Sequence, residues 1–193
     1  MSPAPSTESP EEHLWVAGLR AGRVDVFRTV YETYMPDLWH FARKFVPADV
    51  AEDIVQDVMA DLWRRRETVV IRETLVRYLF GAVHHRVLNH RRHARLVDAV
   101  ERTPSSGAIP GLGEGPDAPD ALSIGHDLES ALRAALATLS PIQRGVLELR
   151  WLHEMSYDQI AEVLHISSEA ARQHVSRAQR VIRPTLARFL ERS

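Results

Sequence analysis

Apolar residues recur every three to four positions along most of the chain, and nowhere do they alternate over a stretch long enough for a sheet. The pattern predicts an all-α fold. From residue 11, Leu14 and Leu19 begin an apolar face that Gly22 interrupts and Phe27, Val30, Tyr31 and Tyr34 resume. Pro36 allows a fresh helix start, with Leu38, Phe41, Ala42 and Phe45 leading to a stop at Pro47. Residues 49–66 carry the strongest pattern of the first half. Asp49 is placed to cap, with Glu52 three residues on, and Val50, Ile54, Val55, Val58 and Leu62 form the buried stripe. A longer helix over 74–95 turns Leu75, Val76, Leu79, Val83 and Val87 inward. Arg77, Tyr78, His84, His85, Asn89, Arg91, Arg92 and Arg95 share its other side.

The character then changes. Four prolines (104, 110, 116, 119) mix with four glycines (107, 111, 113, 115), and carboxylates prevail. Such a composition makes a flexible acidic linker. Helical spacing returns with Leu128, Leu132, Ala135, Leu136 and Leu139. Ser140-Pro141-Ile142-Gln143 is a helix start in which Ser caps, Pro takes the first position and Gln caps reciprocally. Ser156-Tyr157-Asp158-Gln159 repeats the device. A short helix reaches Leu164, His165-Ile166-Ser167 makes a sharp turn, and Ser167 caps a last helix. Its stripe is Ala171, Val175, Ala178 and Ile182, and the small Ala161 and Ala171 suit a close crossing. The expected organisation is a disordered tail (1–10), a helical domain (11–96), a linker (97–127) and a helix-turn-helix domain (128–193).

Three faces carry candidate chemistry. On the last helix, Ser168, Glu169, Arg172, Gln173, Ser176, Arg177 and Arg180 lie opposite the apolar stripe. Arg and Gln make paired hydrogen bonds to base edges, and a helix fits the major groove. On the 74–95 helix, basic residues interleave with Tyr78, which offers a stacking surface for an unpaired base. On the 49–66 helix, Glu52, Asp53, Gln56 and Asp57 form a polar patch flanked by Trp63, a pattern suited to docking a partner helix.

Bulk charge does not announce these faces. The net charge of the 193 residues is −2, because two basic stretches and an acidic one offset each other. No cysteine is present, which excludes disulfides and thiolate metal sites. The first dozen residues lack the basic start and apolar core of a signal peptide, and no apolar run is long enough for membrane insertion. His84, His85, His90 and His93 contain no i,i+4 pair and no adjacent acidic residue, so neither metal nor cofactor is expected. With no catalytic set and no phosphate loop, no enzyme is expected either. Lys44 is the chain's only lysine.

Taken together, these parts resemble an extracytoplasmic-function sigma factor, the two-domain type of bacterial initiation factor in the sigma-70 family. Ala51-Glu52-Asp53-Ile54-Val55-Gln56-Asp57-Val58 with Leu62-Trp63 is similar to the family's polymerase-binding helix. Tyr78-Leu79-Phe80 through His90-Arg91-Arg92 is similar to its helix for the promoter element nearer the start site. Leu139-Ser140-Pro141-Ile142-Gln143-Arg144, Met155-Ser156-Tyr157-Asp158-Gln159-Ile160-Ala161 and Ser176-Arg177-Ala178 are similar to its C-terminal helix-turn-helix. The chain departs from the pattern at His165, where a turn glycine is usual, at His85, where asparagine is common, and at Ala170-Ala171, which replace a frequent Thr-Val.

The resemblance implies a cytoplasmic protein that binds core RNA polymerase through Glu52, Asp53, Gln56, Asp57 and Trp63. It implies start-site-proximal promoter contacts by Arg77, Tyr78, His85, Asn89, Arg91, Arg92 and Arg95, and upstream contacts by the last helix. An anti-sigma factor is a further implied partner. Two elements about 25 base pairs apart are separated by roughly 85 Å. A linker of about thirty residues averages only about 30 Å, so polymerase, not the linker, would set the spacing.

Overall fold

The computed structural model describes residues 10–71, 73–101 and 123–190. They form eight helices, and no strand is present among the described residues. The expected tail lies outside them except for Pro10, which opens the first helix, as does the expected linker between residues 102 and 122.

The first unit comprises α1 (Pro10–Arg20), α2 (Val24–Ala42), α3 (Ala48–Arg64) and α4 (Leu75–Glu101). Val30, Tyr34, Leu38 and Phe41 of α2 meet Val55, Met59 and Leu62 of α3 and Leu75, Leu79 and Val83 of α4 in one buried core. Gly22, at φ +71°, makes the α1–α2 turn in a conformation that a side chain would strain. Three expectations fail here. Leu14 is 69% exposed, and Trp15 packs in its stead, edge-on to Tyr34. Pro36 starts no new helix: α2 runs through it, because the buried side chains on either side of it line one continuous face. Pro47, not Asp49, is the N-cap of α3, and no side chain bonds there.

Glu12 has a part the periodicity did not assign. Its carboxylate is buried and accepts from the backbone N–H of Val76 at 2.9 Å and from the Tyr34 hydroxyl at 3.4 Å. A residue of α1 therefore satisfies an orphan donor at the start of α4, where the helix dipole favours an anion. Thr74 assists by accepting from the Arg77 N–H at 3.3 Å.

The second unit comprises α5 (Ser123–Ala137), α6 (Pro141–Trp151), α7 (Tyr157–Leu164) and α8 (Ser168–Leu190). Both capping boxes form: Ser140 with Gln143 and Ser156 with Gln159. Ser167 accepts from the Ala170 N–H at 3.1 Å, which starts α8 as expected. His165 closes α7 in the left-handed region at φ 53°, ψ 46°. Ala171, Val175, Ala178 and Ile182 are all buried, and Leu132, Leu136 and Leu186 pack beside the last two. Helical structure encroaches on the expected linker from both sides, since α4 ends at Glu101 and α5 begins at Ser123.

The tether is not the only connection between the units. α4 packs on α7, and a single apolar cluster runs from α2 and α4 into Val146, Leu149, Met155 and Ile160. Gly145 of α6 sits on the Phe41 and Phe45 rings; a Cβ there would lie 3.2 Å from Phe45. Phe45 and Phe80 reach beyond their own unit, and the α6–α7 face covers them.

Candidate nucleic-acid and polymerase interfaces

The helix-turn-helix presents its polar face to solvent. Glu169, Arg172, Gln173, Arg177 and Arg180 are exposed, and Ser168 and Ser176 are half-buried at the edge. The capped turn and the buried alanines aim this face outward. The Glu169 carboxylate accepts from Arg172 at 3.0 Å and from Gln173 at 3.2 Å. The Arg172 guanidinium lies 5.3 Å from the Tyr157 ring centre, and Arg150 lies 5.1 Å from the same ring. The Ser168 hydroxyl donates to Asp158 at 2.5 Å, tying α8 to α7. These contacts order the base-reading candidates before any partner arrives.

On α4, Tyr78, His85 and Asn89 line an open cleft of about 340 Å³ shared with Arg65 and Arg86. Tyr78 is half-buried, and burial raises its hydroxyl above the ordinary tyrosine range, so it stays neutral. Arg91, Arg92 and Arg95 are exposed farther along. Arg86, overlooked in the sequence, pairs with Asp57 at 3.0 Å and with Asp61, joining α4 to α3. Its position eight residues after Tyr78 places it on the same stripe, a signal the spacing contained.

Two residues grouped with this face leave it. His84 is buried against Phe41 and Phe45. Arg77 is held between Glu73 of its own unit and Glu162 of α7, and Gln159 donates to Glu73 at 3.2 Å. Its side chain is only 15% exposed, because the second unit closes over the start of α4.

On α3, Glu52, Asp53, Gln56 and Asp57 are exposed, with Gln56 donating to Glu52 at 3.0 Å. Asp57 already has Arg86 as its partner. Trp63 is half-buried, tilted against Phe27 at 5.0 Å with the Arg66 guanidinium over it, so it buttresses the α2–α3 packing.

The seam between the units holds four titratable groups out of water. Lys44 and Glu148 form an ion pair across it. Burial lowers the ammonium and raises the carboxyl, so each charge persists through the other. His153 lies with its ring 4.4 Å from Phe80, and neither ring nitrogen has a partner among the described residues. His84 faces His165 at 6.0 Å beside the Val163 backbone, and its Nδ1 has no partner among the described residues. His84, His85 and His165 approach one another but make no metal-holding group among the described residues.

The description "Sigma-70 region 2" matches residues 30–97, and "Sigma-70, region 4" matches residues 135–183. Together they span more than half of the chain. No curated protein sequence matches it significantly. Among solved structures, the chain is similar to the sigma factor RpoE of Bartonella quintana in complex with the anti-sigma factor NepR. That likeness has TM-score 0.57 and 23% identity, covering 85% of this chain and 98% of the other. It is also similar to CnrH in complex with the cytosolic domain of CnrY. Here the TM-score is 0.55 and the identity 20%, covering 91% of this chain and 97% of the other. At these identities the likeness establishes the fold.

Proposed function

The chain belongs to the sigma-70 family, and from that premise we propose that it is an extracytoplasmic-function sigma factor acting in the cytoplasm without catalysis of its own. As a sigma factor it binds core RNA polymerase and promoter DNA and starts transcription of a particular gene set. The observation that carries this reading is the presence of both regions in one chain, with the polar face of α8 exposed and ordered.

In this reading the residues divide the work. Glu169, Arg172 and Gln173 read the upstream element in the major groove, and Ser168, Ser176, Arg177 and Arg180 hold its backbone. Tyr78, His85 and Asn89 receive the strand opened near the start site, with Arg91, Arg92 and Arg95 against its phosphates and Arg77 joining them only once its pairing with Glu162 is broken. Extracting a base costs a few kcal/mol of stacking, roughly, which the cleft and its basic rim offset. Glu52, Asp53, Gln56 and Asp57 dock on polymerase, and Trp63 supports that surface from beneath. Both solved relatives are bound to another protein, named an anti-sigma factor in one. A protein of that kind is the regulator expected here.

Capture by core polymerase tests the reading. The wild-type chain should be retained and should confer start-site selectivity in run-off transcription. Asp53→Arg with Gln56→Ala should lose both while keeping its helical content. A wild-type chain that core polymerase ignores would overturn the assignment.

A further inference from the structure

Four of the chain's ten histidines stand at or beside the seam: His84, His85, His153 and His165. Two of them, His84 and His153, are buried there at 3% and 6% exposure. Nothing in the reading above uses them. His84 is covered by Phe41 of α2 and Phe45 of the turn that follows it, and from the other unit by His165 and the Val163 backbone. His153 belongs to the second unit and stacks on Phe80 of the first. Each ring thus crosses from one unit to the other, and each is shielded from water only while the units touch. Arg77 is caught in the same closure through Glu162.

We propose that the seam is a pH-sensitive lock, closed while His84 and His153 are neutral and opened when they take up protons, so that region 4 leaves region 2 and Arg77 is released. The inference deepens the sigma-factor reading and rests on it for its consequence, because the surface released is the one assigned to the promoter strand.

The charges around the two rings support it. His84 feels His165, Arg91 and His85, all positive when charged, and Lys44 lies over the neighbouring Phe41. His153 feels Lys44, which opposes protonation, and Asp37, which favours it. Burial is the largest influence on both and pushes both below the ordinary histidine range, His84 to about 4. In the open form the rings are hydrated and return to ordinary values. Closing is therefore fully favoured above the ordinary histidine range and is lost as pH falls below it towards the closed-form value. His84 alone weakens closing about 20-fold between pH 7 and pH 5. The other acid-sensitive groups at the seam are carboxylates: protonation of Glu148 would remove its pairing with Lys44, and protonation of Glu73 or Glu162 would weaken the hold on Arg77.

Small-angle X-ray scattering of the full chain from pH 7.5 to 5.0 reads the lock directly, with far-UV circular dichroism as the check on helices. The radius of gyration should rise below pH 6.5 while helical content holds. The variant His84→Gln with His153→Leu should remain compact at pH 5.0, since Gln keeps a neutral polar group beside the Val163 backbone and Leu keeps an apolar contact with Phe80. A wild-type chain that stays compact throughout overturns the proposal, and needs no variant to do so. So does a variant that opens at the wild-type midpoint, which would assign the transition to the seam carboxylates Glu148, Glu73 and Glu162. These readouts contain neither DNA nor polymerase. Loss of polymerase capture with the lock intact would overturn only the sigma-factor reading.

Discussion

Lys44, the chain's only lysine, is ion-paired with Glu148 across the seam between the two units, with side chains 16% and 10% exposed. Taking such a pair out of water costs several kcal/mol per ion, roughly, and only the partner repays it. Removing one member strands the other, and here the stranded charge has an escape: the units part and it becomes hydrated.

This yields the first prediction. Lys44→Met and Glu148→Leu each shift the chain towards an expanded form at neutral pH, seen as a larger radius of gyration with unchanged helical content. The double variant, which replaces both charges with apolar groups, closes again. Two single variants as compact as the wild type would show that the pair does not hold the seam.

The serine caps give a second prediction. Ser140 and Ser156 each accept from the N–H three residues on, at 3.4 and 3.2 Å, while Gln143 and Gln159 return bonds at 2.9 and 2.8 Å. Ser140→Ala and Ser156→Ala should each cost about 1 kcal/mol in urea denaturation. Ser156→Ala should cost more than a nearby exposed change such as Glu154→Ala, because it also loosens the Gln159 contact with Glu73.

Local signals in the sequence were the dependable ones. Capping boxes, the three-residue turn and the stripe of Ala171, Val175, Ala178 and Ile182 all depend on residues close in sequence, and the structure contains each of them. Pro36 misled because a proline signals a helix start only when the flanking side chains do not share one buried face, and here they do. Leu14 misled because Trp15 buries more apolar surface from the next position.

Contacts between distant residues were invisible to periodicity. Glu12 capping α4, Arg86 bridging to Asp57, and Arg77 caught by Glu162 join residues 64, 29 and 85 positions apart. A charged residue on a predicted helix reads as solvated until its partner is placed, which is why Arg77 stood among the exposed groups. His84 was misplaced for the same reason, since its cover comes from Phe41 and Phe45 and from the second unit, all distant in sequence. The seam itself escaped notice because an acidic Pro/Gly-rich tether suggests independence, although it is long enough to allow contact.

A third prediction concerns His165, which holds φ 53° and ψ 46° at the end of α7. Only glycine adopts that region without cost, while branched side chains are excluded from it. His165→Gly should raise stability by up to about 1 kcal/mol and His165→Val should lower it by more than that. Thermal melts should rank the three Gly, His, Val. His ranking above Gly would mean that the contact with His84 at 6.0 Å outweighs the backbone preference, and Val ranking above His would overturn the strain argument.

The last prediction separates reading from holding on α8. Arg172 is anchored by Glu169 and lies over Tyr157, which restricts the orientation of its fork. Arg180, two turns farther along and exposed, has no such support among the described contacts. Arg172→Ala should weaken binding to the upstream element by about 1–3 kcal/mol and relax the preference for its sequence. Arg180→Ala should weaken binding alike on every sequence and lower the slope of log affinity against log salt by about 1. Both are measured on duplexes with polymerase present, across a set of single-base changes at two or more salt concentrations. A uniform loss for Arg172→Ala would make it a phosphate contact and shift the reading to Glu169 and Gln173. Tyr157→Leu, which removes the ring and leaves Arg172 in place, should reproduce part of the loss of preference but little of the change in salt slope.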